Sequence, residues 1–187
     1  MGGNLVLKMA GEIGCSAPPE LCGFAAVAPA VDLAACADAL SEPRNVIYET
    51  YLVRRLKRRM RFKAHLFPGR YPVDRLGQVT TVREFDEVIT APFCGFCDAD
   101  DYYARSRATR VLSRIARPAL VFAPQDDPVV PFESFENCAI RENASITFLA
   151  PRHGGHCAYI SRERGEERFW AEARIVEFCK NLSRRCG

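Results

Sequence analysis

Three short, uncharged, apolar runs limit this chain's fold more than anything else in it: Cys22–Ala28, Pro118–Ala123 and Ser145–Ala150. The first two do not alternate apolar with polar residues, as a half-solvated strand would, and they suit strands buried on both faces, the environment of a parallel sheet. The third reads as a further strand through Ile146, Phe148 and Leu149. Pro29 closes the first run, and Pro118 can occupy the first position of the second without removing a ladder hydrogen bond. Stretches with helical spacing separate the runs, so the pattern is that of an α/β domain with about three parallel strands and flanking helices. Three strands are few for a sheet covered on both sides.

The helical stretches have recognisable ends. Asn4–Ile13 carries Leu5, Leu7, Ala10 and Ile13, pairs Lys8 with Glu12 one turn apart, and stops at Gly14. Asp32 can cap a short helix through Ala39. Asn45–Phe67 reads as a long amphipathic helix with Ile47, Tyr51, Leu52, Leu56 and Met60 as its packed side, ended by Pro68 and Gly69. Thr81 and Glu84 form a capping-box pair, ahead of a packed face of Phe85, Val88 and Ile89. The Pro, Gly and Cys of Ala91–Asp100 predict a loop, followed by short helices at Tyr102–Ala108 and Val111–Ile115. Glu167–Leu182 is expected to close the chain as a helix, with Phe169, Trp170, Val176 and Cys179 among its packing residues.

At 187 residues and 48% hydrophobic content, the chain can bury a real core as one domain or part of one. It has no apolar run of about 18 residues, so no transmembrane segment is expected. Nor is there a basic, apolar signal-like start, and the expected location is cytoplasmic. A net charge of +3 does not by itself call for nucleic acid. The basic cluster from Arg54 to Lys63 reads first as a solvated helix face or an acidic-partner surface, with a nucleic-acid or membrane-surface patch as the alternative. Only Phe62 interrupts it as a base-stacking aromatic, so nucleic acid is not expected as a partner. The nine cysteines are odd in number and have no secretion signal beside them, so they are expected mainly as small buried hydrophobes. Cys94-Gly-Phe-Cys97 lacks a second pair, and no metal site is expected.

Two loops carry candidate chemistry. Gln125-Asp126-Asp127-Pro128 follows the second strand, and His153-Gly154-Gly155-His156 follows the third. Open α/β sheets place ligands beyond the carboxyl ends of their strands. A carboxylate there can orient an imidazole, and the imidazole can move a proton. Residue type alone leaves Asp126 beside Asp127, and His153 beside His156, as alternatives. Met1-Gly2-Gly3-Asn4 before a helix reads as the second half of a nucleophile elbow, giving the order nucleophile, acid, histidine.

With Ala28-Pro29-Ala30-Val31-Asp32-Leu33, Ala91-Pro92-Phe93, Asp101-Tyr102-Tyr103 and Phe169-Trp170, these segments resemble the C-terminal part of an alpha/beta-hydrolase of the YheT and ABHD1/ABHD3 type, related to EMB8 proteins. The resemblance runs from Met1 to about Leu182. It implies a partial alpha/beta-hydrolase fold across residues 1–187, with a helical cap insertion at 45–100. It makes Asp127 the triad acid, His156 the general base and Met1 the donor of a backbone oxyanion N–H. The family's elbow resembles Gly-x-Ser-x-Gly-Gly-Asn, which sets the nucleophilic serine immediately ahead of Met1; the chain alone is then expected to be inactive. The implied activity is serine-type hydrolysis of short- or medium-chain acyl esters or acylglycerols through an acyl-enzyme, with a small or lipid-like ester as partner and no cofactor. Aromatic residues of the insertion, Tyr48, Tyr51, Phe62, Phe67, Phe85 and Phe93, could wall an acyl site or pack helices. A non-catalytic, truncated binding protein is the reading from another class. The oligomeric state is not legible.

Overall fold

The computed structural model describes residues 1–136, 138–157, 159–161 and 167–186. The chain divides into two compact units, one formed by Met1–Asp32 with Arg107–Gly187 and the other by Leu33–Ser106. The first holds the sheet. The second is a helical insertion in the sequence between the first two strands.

The sheet has the order β1 (Phe24–Val27), β2 (Ala119–Phe122), β3 (Ile146–Leu149), and both pairings are parallel. Each strand is shorter than its apolar run because the flanking residues bond irregularly. The carbonyl of Pro118 still accepts from Phe24 N at 2.9 Å, and Ala123 N donates to Leu149 O at 2.9 Å. Central β2 is buried throughout, as its run of Ala, Leu, Val and Phe requires. The register sets Phe122 beside Leu149, so the chain leaves β2 and β3 at the same edge of the sheet.

Helix α1 (Gly2–Ile13) packs on β1 through Leu7 and Ala10. Gly3 lies against Pro29 and the Val27 carbonyl, and Gly11 lies so close to the Val111 backbone that a Cβ would collide with it. Asn4 is 2% exposed, and its Oδ1 accepts from Ala108 N at 2.9 Å. Leu5, expected among the apolar positions, points outward because the buried stripe runs through residues 4, 7, 10 and 11. On the sheet, Leu120 and Phe122 form a cluster with Tyr159 and Ala171, joined by Trp170, Ile175 and Phe178. The last three belong to the C-terminal helix (Trp170–Cys186), which starts later than Glu167. Phe169 and Val176, expected to pack, are exposed: Phe169 precedes the helix and bridges Ile160, and Val176 faces away from the Trp170–Ile175–Phe178 side.

The helical unit contains α2 (Leu33–Leu40), α3 (Val46–Leu66), α4 (Val82–Phe85), α5 (Ala91–Cys94) and α6 (Ala99–Ser106). A π-helical turn, Asp86–Thr90, joins α4 to α5, so the helix continues into the stretch expected to be a loop. Pro92 stands in the first turn of α5, where its missing N–H costs little, and Gly95 ends the helix at φ 75°. The expected capping box is present: Thr81 Oγ1 accepts from Glu84 N, and the Glu84 carboxylate accepts from Thr81 N. Backbone and hydroxyl donation from Thr80 helps hold that carboxyl below its ordinary value. Past Ser106, the expected Val111–Ile115 helix is a 3-10 turn at Leu112–Arg114.

The expected face of α3 holds at Leu56 and Met60 and fails at Ile47, Tyr51 and Leu52. Val53, Leu56 and Met60 pack with Leu76, Val79, Phe85 and Ile89, whereas Ile47, Tyr51 and Leu52 are exposed. Buried Glu49 sets the rotation: its Oε1 accepts from Ser41 Oγ at 3.0 Å and Val82 N at 3.1 Å. Of the aromatic residues expected to pack helices, Phe85 does so; Tyr48, Tyr51, Phe62, Phe67 and Phe93 are exposed, although Phe93 stacks on Tyr71. No described helix is long and apolar enough to cross a membrane.

Candidate active site

Parallel pairing brings the two chemistry-bearing loops together. Past β2 the backbone N–H of Gln125 donates to Pro151 O at 2.9 Å, and its side-chain amide donates to Ala150 O at 3.2 Å. The loops are therefore tied before either reaches its titratable residues. Asp127 then turns inward with its side chain 1% exposed. Its Oδ1 accepts from Val129 N at 2.8 Å and Val130 N at 3.0 Å, and its Oδ2 lies 2.9 Å from His156 Nδ1. One carboxylate oxygen thus fixes the acid and the other meets the imidazole. The His156 side chain is 43% exposed. Engaging Nδ1 leaves Nε2 as its proton-exchanging atom.

Asp126 and His153 form a looser neighbour. His153 Nδ1 is 3.4 Å from Asp126 Oδ2, and both side chains are largely exposed. The better-defined contact of Asp126 is with backbone: its Oδ1 accepts from Gly155 N at 2.9 Å. Gly155 has φ 56°, a left-handed conformation that glycine adopts without a Cβ penalty. Asp126 thereby pins the turn that presents His156.

Tyr159 is a neighbour the sequence did not reveal. Its ring presses on Gly154, where an added Cβ would lie 3.0 Å from the ring, and packs edge-on to Phe122. Its hydroxyl is buried without a hydrogen-bond partner among the described residues. Burial, with a smaller contribution from the nearby Asp127 charge, drives its ionisation far above the ordinary tyrosine range. No spacing rule marks Tyr159; its importance comes from a contact with glycine.

Met1 caps the N-terminus of α1, and its carbonyl accepts from Leu5 N at 3.2 Å. The contact of Gly3 with Val27 O puts this helix start beside the exit of β1, at the same carboxyl edge as the two loops. Ala28, also at that exit, has φ 41°, unusual for a residue with a Cβ. Ser134, near Asp127 in sequence, lies on the 3-10 turn Phe132–Phe135, and its hydroxyl is buried without a partner among the described residues.

No family model matches the sequence. Individual relatives do. The chain is 29% identical to the putative esterase YheT of Escherichia coli over 180 residues, covering 95% of this chain and 52% of YheT. It is 27% identical to mouse phospholipase ABHD3 over 161 residues, covering 86% of this chain and 39% of ABHD3. It is 22% identical to the embryogenesis-associated protein EMB8 of Picea glauca over 190 residues, covering 98% of this chain and 41% of EMB8. The chain is a divergent alpha/beta-hydrolase. It is homologous to the YheT, ABHD3 and EMB8 group of esterases and lipases, matches a C-terminal part of them, and spans about half of YheT's length or less for the others.

The cysteines of this chain depart from expectation. Among those whose side chains are described, Cys36 alone is buried, while Cys15, Cys94, Cys97, Cys157 and Cys179 are exposed and all are free thiols. Most lie on loops, helix ends or outward helix faces, where the apolar core does not reach. No group of three or more metal-ligating side chains occurs among the described residues.

Proposed function

We propose that this chain supplies the acid and base of a serine-type carboxylic ester hydrolase acting on short- or medium-chain acyl esters or acylglycerols. The observation that carries the proposal is the 2.9 Å contact between buried Asp127 and half-exposed His156 at the carboxyl edge of the sheet. Asp127 holds Nδ1 and stabilises the imidazolium; Nε2 takes the proton of a serine hydroxyl as the serine oxygen attacks the ester carbonyl. The proton passes to the leaving alkoxide, and His156 then activates the water that cleaves the acyl-serine. By the family's elbow pattern the attacking serine occupies the position before that of Met1, whose backbone N–H would then face the oxyanion. Homology to esterases and lipases supports the reaction class, and the tied loops support the pairing of acid with base.

The test begins with the DNA upstream of Met1, which should encode an in-frame Gly-x-Ser preceded by an apolar strand. Protein extended through that segment should hydrolyse p-nitrophenyl acyl esters. His156→Ala should lower kcat by about four to six orders of magnitude, and Asp127→Asn by roughly four. Unchanged turnover in His156→Ala would refute the assignment.

A further inference from the structure

Helix α3 presents a side that the hydrolase reading does not use. Glu49 is the helix's single carboxylate, and it is buried with its oxygen bonded inward to Ser41 and Val82. The rest of the helix carries cations and no second carboxylate of its own. Arg54, Arg55, Arg58, Arg59, Arg61 and Lys63 are all exposed. Large apolar groups stand among them instead of facing the core. Ile47 is 80% exposed, Tyr48 53%, Tyr51 58%, Phe62 62% and Leu66 53%. Tyr48, Leu52, Arg55, Arg59, Phe62 and Leu66 follow one another at intervals of three or four residues, so they form one stripe, roughly 110° around the helix from the side that packs Val53, Leu56 and Met60. The Arg55 guanidinium lies 5.8 Å from the Tyr51 ring centroid, joining cation and aromatic on that surface.

We propose that this face of α3 docks on an anionic lipid bilayer. A helix lying in a membrane interface buries apolar groups at the headgroup boundary while its cations meet lipid phosphates. The 21 residues of α3 give an interfacial rod about 30 Å long. Its arginines can grip phosphate oxygens through two N–H groups each. The aliphatic members decide between phosphate-bearing surfaces. Ile47, Leu52 and Leu66 offer bases nothing to stack on, whereas acyl chains solvate them directly. Docking does not depend on the Asp127–His156 assignment, because it concerns a different unit and a binding equilibrium.

The experiment is co-sedimentation of the 187-residue protein with phosphatidylcholine vesicles, with and without phosphatidylglycerol, over a salt series. Binding should require phosphatidylglycerol and weaken with salt. The combined variant Arg55→Ser, Arg58→Ser, Arg59→Ser should lower partitioning on the order of 100-fold. The pair Ile47→Ser, Leu52→Ser should lower it by about tenfold or more and reduce the salt-resistant part. All five positions face solvent, and circular dichroism checks that each variant keeps its helices. Four results would overturn the proposal: no binding to phosphatidylglycerol vesicles, equal binding to neutral ones, tighter binding to single-stranded DNA at the same salt, or self-association that Ile47→Ser abolishes.

Discussion

In the sheet unit, apolar residues are inside and the candidate chemistry sits in loops at the strand ends. In the helical unit, a carboxylate is inside and several apolar residues are outside. Phe122 and Glu49 show the contrast: the first is fully buried among Tyr159 and Trp170, the second is buried and bonded to a backbone N–H and a hydroxyl. Area burial governs the first position and hydrogen-bond satisfaction the second. Apolar pattern is accordingly a good guide to the sheet and a poor guide to α3.

The largest effect that would test this contrast is Phe122→Ala. Removing an aromatic ring from the closed cluster should cost about 3–5 kcal/mol, read from the urea midpoint by circular dichroism. A loss near that of a surface substitution would break the account of the sheet core. Glu49→Ala comes next. Leaving Val82 N without its acceptor should cost roughly 1–3 kcal/mol, with the loss concentrated in hydrogen-exchange protection of the helical unit. If Glu49→Leu were more stable than the native protein, apolar packing would have been the stronger determinant there after all.

Asp86 sharpens the same contrast through pH. Its carboxyl is held above the usual range by burial, partly opposed by hydrogen bonds from Thr90 Oγ1 at 2.6 Å and Tyr103 OH at 2.8 Å. A raised folded-state value means that the folded protein binds the proton more tightly. This contribution to stability is fully present below the unfolded-state value, and is lost as pH rises through the folded-state value. The stability of the native protein relative to Asp86→Asn should therefore fall across that window, on going from acidic to neutral pH. A paired urea titration should show it; a difference that rises with pH contradicts the sign. The smallest effect belongs to Ile47→Ser, within about 0.5 kcal/mol, because that side chain is already in solvent. A larger cost would show that it packs against something in solution.

The fold was legible where one physical term dominates. β2 declared itself because four consecutive apolar residues admit few other placements, and α1 because Gly3 and Gly14 flank a repeat that the sheet can receive. Residues at Ala91–Asp100 misled because proline and cysteine suggest a loop, although Pro92 fits the first turn of a helix. Glu49 misled because nothing local reports its bond to Val82, thirty-three positions away. At the candidate site, residue type alone left Asp126 beside Asp127 and His153 beside His156, and only the family resemblance chose Asp127 and His156. In the structure Asp127 lies against His156, and Asp126 takes the Gly155 N–H, a contact nothing in the sequence announced. Tyr159 was illegible because its place depends on the missing Cβ of Gly154.

The discontinuity of the sheet unit sets an order of events during synthesis. β1 leaves the ribosome early, but its partner β2 lies beyond all of Leu33–Ser106. The hydrogen bond from Ala108 N to Asn4 Oδ1 likewise cannot form until the chain has passed the insertion. The insertion, whose core residues lie within its own contiguous stretch, is free to condense first. Nascent chains arrested with residue 106 just outside the tunnel should thus resist protease across the helical segment while α1 and β1 are still cleaved. Early protection of α1 would mean that this helix finds a temporary partner before β2 arrives.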